Sequence, residues 1–110
     1  LERMREVAGR FIGTRDFGSF GQAPRPGGHT RRTVYRSEWE SEGKTLSLTL
    51  EADAFLYRMA RRVAGATIQV GKGEKQIEDV EKSLLDPSRT WTGKPAPARG
   101  LCLEAVDFEV

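Results

Sequence analysis

The sequence predicts an α+β fold, a mostly antiparallel sheet with helices packed on one face. Apolar residues recur at helical spacing in three segments, residues 2–12, 54–70 and 76–85. They alternate with polar residues from Thr45 to Ala52, and a related strand pattern runs from Thr33 to Glu42. With a last strand near the end of the chain, the predicted order is helix, strand, strand, helix, helix, strand. All 110 residues are expected to form a single domain without internal repeats.

The first helix is predicted over residues 2–12, and Gly13 is well placed to end it. Its apolar residues follow the i, i+3, i+4, i+7, i+8 pattern: Met4, Val7, Ala8, Phe11 and Ile12. The chain opens inside this amphipathic segment with Leu1 instead of methionine. We therefore expect a piece of a longer protein.

Residues 14–32 are predicted to form a long loop, because they are rich in glycine and contain two prolines without any sustained period. Phe17 and Phe20 are interleaved there with four arginines: Arg15, Arg25, Arg31 and Arg32. Such a mixture can bind RNA through phosphate pairing and base stacking. The alternative is that both phenylalanines belong to the core and the arginines are merely solvated.

An antiparallel hairpin is predicted for residues 33–52, with a tight turn at residues 42–44. In its first strand, Tyr35 and Trp39 are expected on one face. In its second strand, a single face is expected to carry the four apolar residues Leu46, Leu48, Leu50 and Ala52.

A basic helix is predicted from Ala54 to Val70. Arg58, Arg61 and Arg62 lie at i, i+3 and i+4, so their guanidinium groups are expected on one face, opposite an apolar stripe. Like charges at this spacing repel each other, a cost that an anionic partner would remove. The alternative is a solvated face with arginine stems lying over apolar neighbours.

The last part of the chain is predicted to hold a helix over residues 76–85, which Asp86-Pro87 ends. A loop over residues 88–99 and a strand over residues 101–110 complete the domain. The apolar positions of that strand change face near Ala105, which indicates a bulge or burial on both sides.

Charge is distributed unevenly along the chain. Residues 1–62 hold 12 of the 18 cations and 8 of the 16 acidic residues, which gives +4 for that part and −2 for the rest. This asymmetry favours contact with phosphates. No apolar run approaches the roughly 20 residues of a membrane span. The single Cys102 cannot form an internal disulfide, so a cytoplasmic protein is expected. His29 and Cys102 form no ligand cluster, and no metal site is predicted.

Four segments, in order, resemble motifs of the tRNA pseudouridine synthase A family. The motifs are "D-F-x-S-F", "R-T-V-Y", "F-x-x-x-M-V-R-N-I-V-G" and "A-P-A-x-G-L-Y-L". They match, in the same order, residues 16–20, 32–35, 55–65 and 95–103. The resemblance runs along nearly the whole chain but covers only the C-terminal half of the family.

The resemblance implies a pseudouridine synthase-like C-terminal domain and an isomerase that converts uridine to pseudouridine in the anticodon stem-loop of tRNA. It also implies a homodimer in which both subunits contact each tRNA, and chemistry without a metal or an organic cofactor. The family's catalytic aspartate lies in a "G-R-T-D-x-G-V-H" motif of the N-terminal half, and this chain contains no such sequence. The 110-residue chain alone is therefore expected to be inactive.

Two site residues follow from the resemblance. Arg61 matches the arginine of "M-V-R", which is expected to hold the catalytic carboxylate, and a planar guanidinium can do so bidentately. Leu101 matches the leucine of "G-L-Y-L", which is expected to pack on the target base. The alternatives are a surface arginine and an ordinary first residue of a core strand.

The expected phosphate-binding surface consists of Arg31, Arg32, Arg58 and Arg62. Arg62 departs from the family pattern, which has asparagine there, and adds to the cationic face. Ala60 and Cys102 also depart, at a valine and a tyrosine respectively. Two other hypotheses remain open at this point, a non-catalytic RNA-binding domain and a dimerisation module.

Overall fold

The computed structural model describes residues 2–23, 27–43, 45–91 and 93. It confirms the α+β class, with three helices and a three-stranded antiparallel sheet. In chain order the elements are α1 (Glu2–Gly9), β1 (Gly13–Asp16), β2 (Arg31–Glu42), β3 (Thr45–Ala52), α2 (Met59–Gly71) and α3 (Ile77–Leu85). The strand predicted over residues 101–110 lies outside the described residues.

Strand β1 occupies part of the segment that was predicted to be a loop. It pairs antiparallel with β2, from Gly13 opposite Val34 to Asp16 opposite Arg31, and β2 itself begins two residues earlier than predicted. The loop prediction for residues 14–32 was therefore wrong at both ends. Four mostly polar residues carry no alternation of their own, so this strand exists because β2 lies beside it.

A β-bulge interrupts the pairing of β2 with β3 between Val34 and Arg36. One extra residue reverses the faces of a strand, because side chains alternate with a period of two. Trp39 is consequently buried, whereas Tyr35 is 49% exposed, and the prediction that they share a face was wrong. In β3 the predicted apolar face is confirmed. Leu48, Leu50 and Ala52 are buried, while Leu46 near the hairpin turn is partly exposed.

The two faces of the sheet differ in character. On the open face Arg36 forms ion pairs with Glu38, Glu40 and Glu51, at nitrogen–oxygen distances of 3.0, 3.4 and 3.6 Å. The hydrogen bond to Glu38 and its negative charge are the main causes that raise the pKa of Arg36, with smaller contributions from Glu51 and Glu40. The opposite face is apolar and packs against the helices, as predicted.

Helix α2 is the central element of the core, with residues 63–67 buried consecutively. The indole Nε1 of Trp39 donates a hydrogen bond of 3.0 Å to the Thr67 hydroxyl, which in turn donates to the Ala64 carbonyl oxygen at 2.7 Å. These buried polar groups are thus paired inside the core, which avoids the cost of an unsatisfied donor.

The helix boundaries correct several predictions. Helix α1 ends at Gly9, although Phe11 beyond it is still fully buried and Ile12 is 41% exposed. Helix α2 begins at Met59, five residues later than predicted, and α3 begins one residue later than predicted. No helix in the described part of the chain is long and apolar enough to cross a membrane.

Candidate functional site

The predicted arginines meet at one end of the sheet. Asp16 at the end of β1 pairs with Arg31 at the start of β2, and Val34 pairs with Ala52 at the end of β3. The chain then continues through residues 53–58 into α2. Arginines from β1, β2 and the start of α2 therefore lie at the same end of the domain, which we call the basic end: Arg15, Arg31, Arg32, Arg58, Arg61 and Arg62.

Hydrogen bonds that backbone N–H groups donate fix the path from the sheet into α2. The Asp53 carboxylate accepts the N–H groups of Thr33 at 2.9 Å and Ala54 at 2.8 Å. Further on, Tyr57 and Gln22 form an isolated β-bridge, with N–H to carbonyl distances of 2.9 and 3.3 Å. The position of the α2 start is thus set by the strand ends and by the loop after β1.

The "D-F-G-S-F" segment, residues 16–20, has a structural role. Phe17 and Phe20 are fully buried, so the alternative that places them in the core is confirmed, and the interpretation that they stack on RNA bases is wrong. The Phe20 ring packs edge-on against Phe11, at 5.1 Å between centroids, and stacks on Trp91 at 5.4 Å.

Ser19 connects this segment to the end of α3. Its Oγ lies 2.8 Å from the carbonyl oxygens of both Ser83 and Asp86, and its own carbonyl accepts the Trp91 N–H at 2.8 Å. Gly21 allows the loop after β1 to approach Leu56 closely. A Cβ atom there would lie 2.6 Å from the Leu56 Cβ, closer than carbon atoms can approach.

Each aspartate of the described residues accepts hydrogen bonds from other groups of the domain. Asp16 accepts the Gly18 N–H at 2.9 Å and the hydroxyl of Thr30. Asp79 accepts the Gln76 N–H at 2.8 Å at the start of α3, and the hydroxyl of Ser88 donates to Asp86. With Asp53 these contacts account for every aspartate of the described residues.

The start of α2 corrects the predicted geometry of its arginines. Arg58 lies outside the helix, with a left-handed backbone at φ 64°, so it does not share a helical face with Arg61 and Arg62. No side chain caps this helix start and no acidic residue lies in the first turn, where Arg61 is exposed and Arg62 is half-buried. Cations at the positive end of a helix dipole are unfavourable by themselves, and an anion would stabilise them.

The arginines of the domain differ in their pairing. Arg5, Arg10 and Arg36 form ion pairs with glutamates. Within the described residues, no carboxylate lies at ion-pairing distance from five arginines of the basic end: Arg15, Arg31, Arg32, Arg58 and Arg62. These five leave positive charge available for an outside anion.

Arg15 and Arg32 show how closely these charges are placed. They are direct partners across β1 and β2, and directly opposed residues project from the same face of a sheet. The Nε atoms of both are shielded from solvent without a hydrogen-bond partner in the described part of the chain. Nη1 of Arg32 donates to the carbonyl oxygens of Arg31 at 2.7 Å and His29 at 3.2 Å. Like charges directly opposite each other are destabilising, which an anion between them would relieve.

The structure thus brings Arg31, Arg32, Arg58, Arg61 and Arg62 to one end, while Leu101 and Arg25 lie outside the described residues. Tyr57 was missed as a candidate, because the helical pattern placed it inside a helix. The Arg58 guanidinium carbon lies 5.1 Å from the centre of the Tyr57 ring.

No group of three or more histidine, cysteine or acidic side chains among the described residues could hold a metal ion.

The described fold is thus an α+β domain with a cationic end, and comparison with known proteins gives its family. A sequence model described as tRNA pseudouridine synthase matches residues 7–109. The tRNA pseudouridine synthase A of Bacillus licheniformis is 35% identical over 109 residues, 99% of this chain and 44% of that protein. The chain belongs to the tRNA pseudouridine synthase family.

Two further relatives carry the same name. The protein of Anoxybacillus flavithermus is 37% identical over 106 residues, and that of Chlamydia pneumoniae is 38% identical over 107 residues. These matches cover 96% and 97% of this chain, but only 43% and 40% of the relatives. The chain therefore spans less than half the length of the relatives it matches.

Proposed function

We propose that this chain supplies the C-terminal part of an enzyme that isomerises uridine to pseudouridine in the anticodon stem-loop of tRNA. The family match over residues 7–109 carries the proposal. It is supported by the place of Arg61, which is exposed on the first turn of α2 at the basic end. The full enzyme, a homodimer in the cytoplasm, would need a catalytic aspartate from outside this chain.

The reaction conserves all heavy atoms of the base. The bond from the ribose C1′ to N1 breaks, the base turns, and C1′ bonds to C5, while C5 loses a proton and N1 gains one. Arg61 would keep the catalytic carboxylate ionised and oriented, because an adjacent cation lowers a carboxyl pKa. The positive end of α2 acts in the same direction. In this proposal Leu101 packs on the target base.

The proposal is tested by joining this chain to the N-terminal part of the Bacillus licheniformis relative, which by the resemblance carries the aspartate. With tRNA labelled with tritium at uridine C5, we expect tritium release by the joined protein and none by the 110-residue chain. Release by the chain alone would contradict the proposed division of roles. A folded joined protein that binds tRNA but releases no tritium would favour the non-catalytic RNA-binding alternative.

The basic end is proposed as the phosphate-binding surface, with Arg31, Arg32, Arg58 and Arg62 as its contacts. Arg32→Gln or Arg62→Gln should weaken binding of an anticodon stem-loop RNA by the chain. Each should also reduce the slope of log affinity against log salt by about one unit, because one phosphate contact is lost. Fluorescence anisotropy at several salt concentrations measures both quantities.

Arg3→Gln is the matched control for these variants. Arg3 is exposed on α1 and lies beside Val70 and Gln76, near the C-terminal end of α2. The 13 residues of α2 span about 20 Å, so this charge is far from the basic end. An equal loss of affinity and slope in the control would show that net charge alone governs binding.

A further inference from the structure

Tyr57 is the most exposed aromatic residue of the described chain, with 59% of its surface accessible. Its neighbours Leu56 and Met59 are buried, and its backbone is paired in both directions with Gln22. The main chain at Tyr57 is therefore fixed while the ring faces solvent. An exposed ring on a fixed backbone can bind a flat partner with little loss of conformational freedom.

The cation beside this ring is positioned by an uncommon backbone conformation. Arg58 has a φ of 64°, a left-handed value that non-glycine residues rarely adopt. Its guanidinium carbon lies 5.1 Å from the Tyr57 ring centre, within the range of a cation–π contact. The two side chains thus form one unit of a ring and a planar cation, and the ring keeps most of its surface exposed with the cation in place.

We propose that Tyr57, supported by Arg58, is a platform on which an unpaired RNA base stacks. Proteins read single-stranded RNA largely by stacking bases on aromatic rings and guanidinium planes. The surroundings match this ligand, because Arg62 follows on the first turn of α2 and can meet an adjoining phosphate. An apolar protein partner fits less well, since Leu56 and Met59 are buried and the exposed neighbours are cationic. The inference rests on the proposed function only in taking RNA as the ligand.

The test compares variants of the 110-residue chain in anisotropy titrations with an anticodon stem-loop RNA. Tyr57→Leu should weaken binding about 5- to 150-fold, the range for loss of one stacked base, without changing the salt slope, because no charge is removed. Tyr57→Phe keeps the ring and should bind like the unaltered chain. Tyr35→Leu is the matched control, the same change at the other exposed tyrosine, on the open face of the sheet.

A second measurement does not depend on substitutions. RNA carrying 5-iodouridine in its loop should crosslink to Tyr57 on irradiation, as read from the mass of the modified peptide. Unchanged affinity of Tyr57→Leu, or equal losses in the Leu and Phe variants, would overturn the stacking role. Absence of any RNA binding by the chain would overturn both the platform and the phosphate surface. Failure of the joined protein to release tritium would leave the platform standing, so the two proposals fail separately.

Discussion

Arg61→Ala is expected to lower pseudouridine formation by the joined protein about 10²- to 10⁴-fold, with tRNA affinity little changed. Removing one partner of a desolvated ion pair costs about 3–5 kcal/mol, because the remaining charge loses its compensation. Affinity should change little, since the proposal assigns Arg61 to the catalytic carboxylate and not to the phosphate-binding surface. Single-turnover tritium release with saturating enzyme separates the rate from the affinity.

The pH dependence of the rate provides a second test of the Arg61→Ala variant. Without the guanidinium, the pKa of the catalytic carboxyl should rise, because an opposite charge no longer favours its ionised form. In the proposed mechanism activity requires the carboxylate, so the acid limb of the rate profile should move to higher pH. Arg61→Lys keeps the charge but loses the planar guanidinium group. The acid limb of its rate profile should therefore lie between those of the unaltered protein and Arg61→Ala. Arg62→Ala is the matched control, and a rate loss equal to that of Arg61→Ala would reduce Arg61 to a general surface charge.

Phe20→Ala is expected to destabilise the chain by about 3–5 kcal/mol, a large share of the 5–15 kcal/mol typical of a domain. The ring is fully buried between Phe11 and Trp91, so its removal leaves a cavity as well as losing apolar burial. Urea unfolding of the 110-residue chain, followed by tryptophan fluorescence, measures the change in the midpoint.

Two variants show whether this loss is specific. Phe20→Leu fills part of the space and should cost less than Phe20→Ala. Leu85→Ala changes a residue that is 84% exposed and should cost no more than about 0.5 kcal/mol. A Phe20→Ala protein as stable as the unaltered chain would contradict the structural role assigned here to the "D-F-G-S-F" segment.

The elements predicted well are those whose pattern is complete within the segment. Strand β3 has the predicted bounds, since leucines alternate with polar residues from Thr45 to Ala52. Helix α3 differs from its prediction by one residue, because an apolar stripe and Asp86-Pro87 mark it locally. In both cases local periodicity and tertiary packing agree.

The failures occur where distant segments decide the structure. Strand β1 forms through its pairing with β2, and the bulge near Val34 is a property of the β2–β3 register. The pattern around residues 54–58 is helical, yet Tyr57 pairs with Gln22, more than thirty residues earlier in the chain, and this extended pairing delays the start of α2. The two partners of each of these contacts lie far apart in the sequence, so a local pattern of residues cannot reveal the contact.

The candidate site was predicted in composition but not in geometry. The resemblance and the charge pattern indicated the arginines, and the structure brings those that it describes to one end of the domain. The departure of Arg58 from the helix, and with it the unit formed with Tyr57, could not be read from spacing. It follows from backbone constraints on both sides of Arg58.

The described residues of the loop after β1 form no helix or strand of their own, yet they are attached to three parts of the domain. Phe17 donates to Thr30 beside the sheet, Ser19 contacts the end of α3, and Gln22 pairs with Tyr57 before α2. Relative sliding of these elements would have to break these hydrogen bonds. The basic end should therefore meet its ligand as a preformed surface, and most of the adjustment on association would fall to the nucleic acid.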